Sequence, residues 1–96
     1  MATYVVNELW VEDAGLFQTY VVQVPPTLEP FGGRYVVRSG ATEAVEGQPP
    51  GRIVILEFPD RAQALAWRAS PAYQAILPIR DASSTSRVYV ADGYEP

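Results

Sequence analysis

The chain has 96 residues, of which 48% are hydrophobic and 19% are charged, and its net charge is −4. These values are typical of a globular domain rather than a disordered chain, and they exclude the basic surface that nucleic-acid binding requires. The absence of Cys, His and Lys excludes disulfides, thiolate and Schiff-base catalysis, histidine-based catalysis and most transition-metal sites.

We therefore expect a single domain over residues 1–96, with a core at about 2–92, a short tail at 93–96, and no cofactor or metal. No apolar run is long enough to span a membrane, and the first residues lack the features of a signal peptide. The expected location is the cytoplasm, with neither a membrane nor nucleic acid as a partner.

The first half of the chain predicts a strand, a helix and a second strand. Thr3–Val11 is rich in β-branched and aromatic residues, and Asp13 is placed to cap the following helix. Pro25-Pro26 predicts a kink or restart of that helix, and Gly32-Gly33 predicts its end. Residues 34–38 then predict a strand. The apolar residues of the helix recur at three- and four-residue steps: Phe17, Tyr20, Val21, Val24, Leu28 and Phe31.

The second half repeats this theme. Arg52–Phe58 is the most apolar strand, and Asp60 is placed to cap the helix after it. Ser70 is expected to cap a further helix, which Pro78 ends or bends. A polar connector at 83–86 then leads into a last strand at 87–91. We expect the helix that Asp60 caps to pack on the sheet through a face of small residues. These are Ala62, Leu65, Ala66 and Ala69.

The order of elements predicts an α+β fold of the ferredoxin-like βαββαβ type, with a four-stranded antiparallel sheet and helices on one face. Strict alternation along the strands leaves Val37 on the helix side and twelve residues on the open face. This set is too apolar to face water and too charged for a dry core, so we expect a homodimer with sheet against sheet. The twelve are Tyr4, Val6, Glu8, Trp10, Arg34, Val36, Arg38, Ile53, Ile55, Glu57, Arg87 and Tyr89.

An ordered set of residues carries a family resemblance. In the first half it comprises Tyr4, residues 13–20, Pro25-Pro26, Gly32-Gly33-Arg34-Tyr35, Arg38 and Gly40. In the second half it comprises Glu46-Gly47, Glu57-Phe58-Pro59, Ala66-Trp67, Ser70-Pro71-Ala72-Tyr73 and Arg80. Over about residues 2–92 the chain resembles the domain-of-unknown-function family 1330 (DUF1330) of the dimeric α/β-barrel superfamily. The resemblance implies that dimeric fold and no settled activity, and this chain lacks the His that several superfamily relatives use as ligand or base.

Three charged residues are candidates for catalysis. Glu57 lies within an otherwise apolar strand, where a carboxylate serves either as a general base or as one half of an ion pair with Arg34 or Arg38. Arg38 and Arg80 carry forked donors suited to binding a carboxylate or stabilising an enolate-like oxyanion. Their alternative role is in structural salt bridges.

Three aromatic residues are candidates for substrate binding. Tyr20 and Tyr73 point from helices toward the predicted sheet, where their hydroxyls line a pocket or, alternatively, they are core residues with one satisfied hydroxyl. Trp67 either stacks on an aromatic substrate as a pocket wall or packs in the core. The preferred interpretation is a cofactor-independent enzyme acting by isomerisation, cyclisation or ring opening on an apolar, oxygen-bearing small molecule, as in secondary metabolism. Two alternatives stay open: a non-catalytic homodimer that binds a metabolite or scaffolds a partner, and a cofactorless monooxygenase.

Overall fold

Four antiparallel strands form one sheet, and four helices cover one of its faces. The computed structural model describes the backbone of residues 1–96 and the side chains of all of them except residues 39 and 40. The strands are β1 (Thr3–Val11), β2 (Arg34–Gly40), β3 (Arg52–Phe58) and β4 (Ser84–Asp92), in the spatial order β2-β3-β1-β4. The helices are α1 (Ala14–Val21), α2 (Val24–Leu28), α3 (Arg61–Ala69) and α4 (Pro71–Ser83). The predicted ferredoxin-like α+β fold is confirmed.

The helix starts follow from local capping chemistry. Each of the predicted caps, Asp13, Asp60 and Ser70, accepts a hydrogen bond from the backbone amide three residues later, at 3.0, 2.9 and 3.3 Å. These bonds satisfy amide groups that have no partner within the helix. The prolines after Val24 restart the helix as predicted, and Gly32 ends the following 3-10 turn in a left-handed conformation, with φ of 69°.

Two features of α4 differ from the expectations. Of the two alternatives predicted for Pro78, an end or a bend, the end is excluded, because the helix continues to Ser83. Pro78 is exposed, so water can satisfy the carbonyl that its missing amide leaves free. The predicted connector at 83–86 is absent, because the helix leads directly into β4. The hydroxyls of Ser83 and Ser84 donate to the carbonyls of Ile79 and Arg80 at 2.6 and 2.7 Å, which keeps both serines satisfied while buried.

The predicted packing face of α3 is also wrong. The buried residues of this helix are Ala64 and Trp67, while Leu65 is 50% exposed. Burial of the large Trp67 ring outweighs burial of several alanines, so the helix is rotated relative to the expectation. The ring packs 5.4 Å from Phe58 and 4.1 Å from Tyr73, centroid to centroid, and these rings form the centre of the core.

A β-bulge in β2 changes which residues face the helices. Tyr35 pairs with Leu56, but Val37 pairs with Ile55, so Val36 is an extra residue. Val37 therefore shares the open face with Ile55, and Arg38 turns to the helix side, with its guanidinium carbon 4.7 Å from the Tyr35 ring centroid. The expectation from strict alternation is reversed for Val37 and Arg38.

None of the helices that the structure describes is long and apolar enough to cross a membrane.

Candidate functional site

A cavity lies between the helix side of the sheet and the helices. Its walls are largely apolar and come from β1, β2, β3 and all four helices. Its polar or aromatic lining residues include Asn7, Tyr20, Tyr35, Arg38, Trp67 and Arg80. The empty volume is about 460 Å³ when open solvent at the mouth is included. The enclosed cavity itself measures about 30 Å³, enough for about two waters. A larger ligand therefore requires side chains at the mouth to move.

Three polar side chains meet at the wall of this cavity. Helix α4 places Tyr73 and Arg80 two turns apart on one face, and α1 places Tyr20 opposite them. The two tyrosine hydroxyls are 2.9 Å apart, with either as the donor, and Nη1 of Arg80 donates to the Tyr73 hydroxyl at 3.2 Å. We call Tyr20, Tyr73 and Arg80 the hydroxyl–guanidinium chain.

The charge of Arg80 is poorly neutralised. Its side chain is 6% exposed, and its carboxylate contact among the described residues is Asp81, which is 62% exposed and 3.4 Å from Nη2. The buried Nε–H has no hydrogen-bond acceptor in the described part of the chain. No Asp or Glu with a described side chain lines the cavity. Because an uncompensated buried charge costs on the order of several kcal/mol, a ligand that supplies negative charge would stabilise this arrangement.

Tyr20 is held in its protonated form. Burial, reinforced by the neighbouring Tyr73, raises the pKa of Tyr20 well above its usual value, although Arg80 opposes the shift. Burial likewise raises the pKa of Tyr35, against the lowering effect of Arg38. Both phenols are therefore neutral hydrogen-bond donors at physiological pH.

The structure separates Glu57 from the other candidate residues. Its carboxylate forms an ion pair with Arg34 and accepts a hydrogen bond from the Tyr4 hydroxyl at 3.3 Å. All three lie on the open face of the sheet, in one cross-strand row. Of the other predicted residues, Tyr20, Trp67, Arg38 and Arg80 line the cavity, and Tyr73 adjoins it through its hydrogen bonds to two of them. Glu57 is thus not brought together with the two arginines.

Sequence reasoning missed Asn7 and Tyr35 as lining residues. Asn7 is buried on the helix side of β1, where its amide nitrogen donates to the Val54 carbonyl at 3.1 Å. That bond fixes the amide orientation and leaves the side-chain oxygen, which has no donor among the described residues, as an acceptor at the cavity. The available signal was an amide in the otherwise apolar alternation Val5, Asn7, Leu9.

No cluster of three or more potential metal ligands occurs among the residues that the structure describes. The residues that are suited to hold a bound group are the donors of the hydroxyl–guanidinium chain, together with Arg38 and Asn7.

A family model described as a domain of unknown function, DUF1330, matches residues 2–94. The chain belongs to the DUF1330 family. This confirms the resemblance found from the sequence. A comparison of the DUF1330 chain with curated proteins finds none that matches.

Solved structures share the fold of this DUF1330 chain. RPA0582, a protein of unknown function from Rhodopseudomonas palustris, has a TM-score of 0.82 and 18% identity, covering 99% of this chain and 84% of its own. SnoaB, a cofactor-independent oxygenase from Streptomyces nogalater, has a TM-score of 0.72 and 16% identity, covering 99% and 95%. A dimeric ferredoxin-like protein of unknown function from Jannaschia sp. CCS1 has a TM-score of 0.67 and 16% identity, covering 97% and 100%. At these identities the similarity shows the fold alone.

Proposed function

We propose that this DUF1330 protein is a cofactor-independent enzyme that acts by proton transfer on an apolar, oxygen-bearing small molecule bound in the cavity. The reaction class is isomerisation, cyclisation or ring opening. The observation that carries this proposal is the hydroxyl–guanidinium chain at the wall of a largely apolar cavity. A buried cation next to two hydrogen-bonded phenols is suited to stabilise negative charge on oxygen while a proton moves.

The three members of the chain have distinct roles in this mechanism. Arg80 stabilises negative charge on a substrate oxygen, whether the substrate brings that charge or the charge develops as a proton leaves carbon. Tyr20 and Tyr73 share a hydrogen bond in which either is the donor. In one concerted step, one hydroxyl takes the proton from the substrate carbon and passes its own proton to the other hydroxyl, which returns a proton to the substrate. The protein therefore ends with the protons it began with. Since burial keeps Tyr20 protonated, its resting role is that of the proton donor.

Other lining residues position the substrate. The Trp67 ring offers an apolar wall, held in place by the hydrogen bond from its Nε1 to the Thr27 hydroxyl at 3.0 Å. The Asn7 oxygen can accept a hydrogen bond from a substrate hydroxyl. Arg38 is exposed and stands at the mouth, where it can attract an anionic substrate.

Cofactor-independent oxygenation is a second candidate. The described residues that line the cavity include no carboxylate that could act as a base, and an easily oxidised phenolate requires none. SnoaB, which shares the fold, is a cofactor-independent oxygenase. In this reaction Arg80 would bind the phenolate oxygen rather than an enolate formed on the enzyme.

We also propose that the protein is a homodimer. One cross-strand row on the open face joins Val37, Ile55, Val6 and Tyr89, so an apolar band crosses all four strands. Tyr89 is about half exposed in the isolated chain. A second copy packed against this face removes the band from water, and the Jannaschia protein of the same fold is dimeric.

Proton transfer is tested by hydrogen–deuterium exchange at carbon. A panel of cyclic ketones and enolisable diketones is incubated with the protein in D₂O and followed by NMR. We expect accelerated exchange for at least one apolar member, a reduction of roughly a hundredfold or more in Tyr20→Phe, and no change in Tyr94→Phe, whose ring is exposed on the tail.

Parallel incubations under air and under nitrogen separate the two chemistries. Oxygen consumption with an easily oxidised phenol, and no carbon exchange with the ketones, would replace the first candidate by the second. Ligands that bind in the cavity without either reaction would show a non-catalytic binding protein.

A further inference from the structure

We propose that the substrate group bound at Arg80 is a two-oxygen anion, a carboxylate or the enolate of a 1,3-dicarbonyl, that carries its charge before any reaction begins. This inference depends on the proposed function for its location, because it concerns the same cavity. It adds the substrate class, which the proton-transfer chemistry alone does not specify.

The unsatisfied edge of the guanidinium indicates two oxygens. Nη1 of Arg80 is occupied by Tyr73, which leaves the edge formed by Nε–H and Nη2–H. Nε has no acceptor among the described residues, and the contact of Nη2 with Asp81 is 3.4 Å, longer than the ~2.7–2.9 Å of a charge-assisted hydrogen bond. Two parallel N–H groups on one edge match a delocalised two-oxygen anion.

The charges around the cavity favour an anion over a neutral ligand. The chain as a whole is acidic, with a net charge of −4, yet arginines are gathered on the helix side of the sheet. Arg38 and Arg80 line the cavity, and the guanidinium carbon of Arg52 is 5.4 Å from the ring centroid of Phe17, another lining residue. Arg38 and Arg52 form no salt bridge with any described carboxylate.

A neutral ligand would leave this array uncompensated. A ketone or amide oxygen accepts hydrogen bonds but brings no charge, so the buried cation would keep its desolvation penalty. Nε is buried, so an anion reaches this edge only when the side chains that cover it move aside. It would then satisfy Nε, replace the long contact to Asp81 and neutralise the guanidinium. The two sources of this chemistry, carboxylate and enolate, are separated by the choice of probe.

The test compares matched probes on the wild-type protein. Benzoate is paired with the neutral benzamide. The second pair is 1,1,1-trifluoro-2,4-pentanedione, an open-chain diketone that is largely ionised at neutral pH and whose enolate oxygens can lie side by side, and the neutral 2-pentanone. Affinities come from NMR titration of the indole N–H signals of the two tryptophans. We expect the anion of at least one pair to bind roughly ten- to a hundredfold more tightly than its neutral partner, with the perturbation at Trp67 and not at Trp10.

Variants test whether the preference for anionic over neutral probes arises at the cavity. Arg38→Gln is expected to weaken anion binding severalfold, whereas Arg87→Gln is the matched control, because Arg87 lies 5.3 Å over the Trp10 ring on the opposite face of the sheet. Arg80→Gln is expected to abolish the preference. If Arg80→Gln does not fold, Arg80→Lys keeps the positive charge but lacks the two parallel N–H donors. This variant is expected to bind anions more weakly while still preferring them to neutral probes.

Equal affinity for anion and neutral partner in both pairs would overturn the inference, as would the absence of binding by either anion at millimolar concentration. Carbon exchange on a neutral ketone without anion preference would leave the proposed function standing and this inference wrong. Anion-selective binding at Trp67 without turnover of any probe would support the inference and contradict the proposed enzyme.

Discussion

Nη1 of Arg80 donates a hydrogen bond to the hydroxyl oxygen of Tyr73, 3.2 Å away and two turns earlier on the same helix. The same hydroxyl is 2.9 Å from that of Tyr20 on α1. Tyr73 is therefore the centre of the chain, in contact with a cation on one side and a second phenol on the other. It is also fully buried, so its hydroxyl makes these bonds without contact with bulk water.

Tyr73→Phe is expected to destabilise the protein by about 1–3 kcal/mol, because it leaves both Arg80 Nη1 and the Tyr20 hydroxyl without a partner in a buried site. Urea unfolding followed by circular dichroism measures the change. The matched control is Tyr94→Phe, which removes a hydroxyl from an exposed tail residue and is expected to leave stability within error. A loss for Tyr73→Phe no larger than that for Tyr94→Phe would show that the hydroxyl contributes little.

Alkaline pH is expected to destabilise the protein through Tyr20. Burial and Tyr73 raise the pKa of Tyr20 above the ordinary value of about 10, so above about pH 10 the unfolded chain loses a proton that the folded chain keeps. The folded state then binds more protons, and the free energy of unfolding falls by up to about 1.4 kcal/mol per pH unit for this residue. This contribution is constant below about pH 9.

The measurement is the free energy of unfolding between about pH 8 and about pH 11 in wild type and in Tyr20→Phe. The variant is expected to show a shallower decline, but not a flat line, because burial also raises the pKa of Tyr35. Parallel declines in the two proteins would show that Tyr20 does not titrate differently in the folded and unfolded states.

The sequence predicts features that depend on neighbouring residues better than those that depend on strand pairing. Asp13, Asp60 and Ser70 cap helices as expected, because a cap needs only a side-chain oxygen near amides two or three residues on. The placement of Arg38 depends on the bulge at Val36, which is visible only in the register between β2 and β3. Strict alternation therefore could not place Arg38 at the cavity.

Glu57 also shows what the strand pattern can and cannot predict. The strand pattern correctly singles out a carboxylate that needs a partner, and the ion pair with Arg34 was one of the two alternatives. What the pattern cannot give is the distance to Arg80 on α4, since the packing of a helix against the sheet depends on side chains far apart in sequence. The face of α3 was misjudged for this reason, because Trp67 rather than Leu65 packs inward.

Two glycine-to-alanine substitutions are expected to have opposite effects. A Cβ on Gly33 would lie 2.6 Å from Cε1 of Phe58 and 3.1 Å from Cδ2 of Leu28, and both neighbours are buried core residues. Gly33→Ala is thus expected to cost about 1–3 kcal/mol through overpacking. Gly15 is exposed within α1, and a Cβ there meets only Asp13 at an ordinary 3.7 Å, so Gly15→Ala is expected to stabilise by about 0.5–1 kcal/mol.

Thermal and urea unfolding of the two single variants test this pair. Each serves as the other's control, since both change one glycine by one methyl group. Destabilisation by Gly15→Ala would indicate that α1 does not form as described, and a neutral Gly33→Ala would indicate that Phe58 can move away from β2.

The open face of the sheet gives the sharpest prediction about assembly. Ile55 pairs with Val6 on one side and Val37 on the other, so it lies near the centre of the apolar band. Ile55→Arg would bury a charge without a partner between two sheets, at a cost that a standard-sized interface does not absorb. Sedimentation is expected to show a dimer for wild type at micromolar concentration and a monomer for this variant.

Leu65→Arg is the matched control, because Leu65 is a half-exposed apolar residue on α3, away from the open face. It is expected to remain dimeric, and its folding should equal that of wild type by circular dichroism. Dissociation by both substitutions would point to a general loss of structure, while a wild-type monomer would contradict the homodimer itself. If the Ile55→Arg monomer still binds benzoate at Trp67, each cavity is complete within one chain, as expected for a site between a sheet and its own helices.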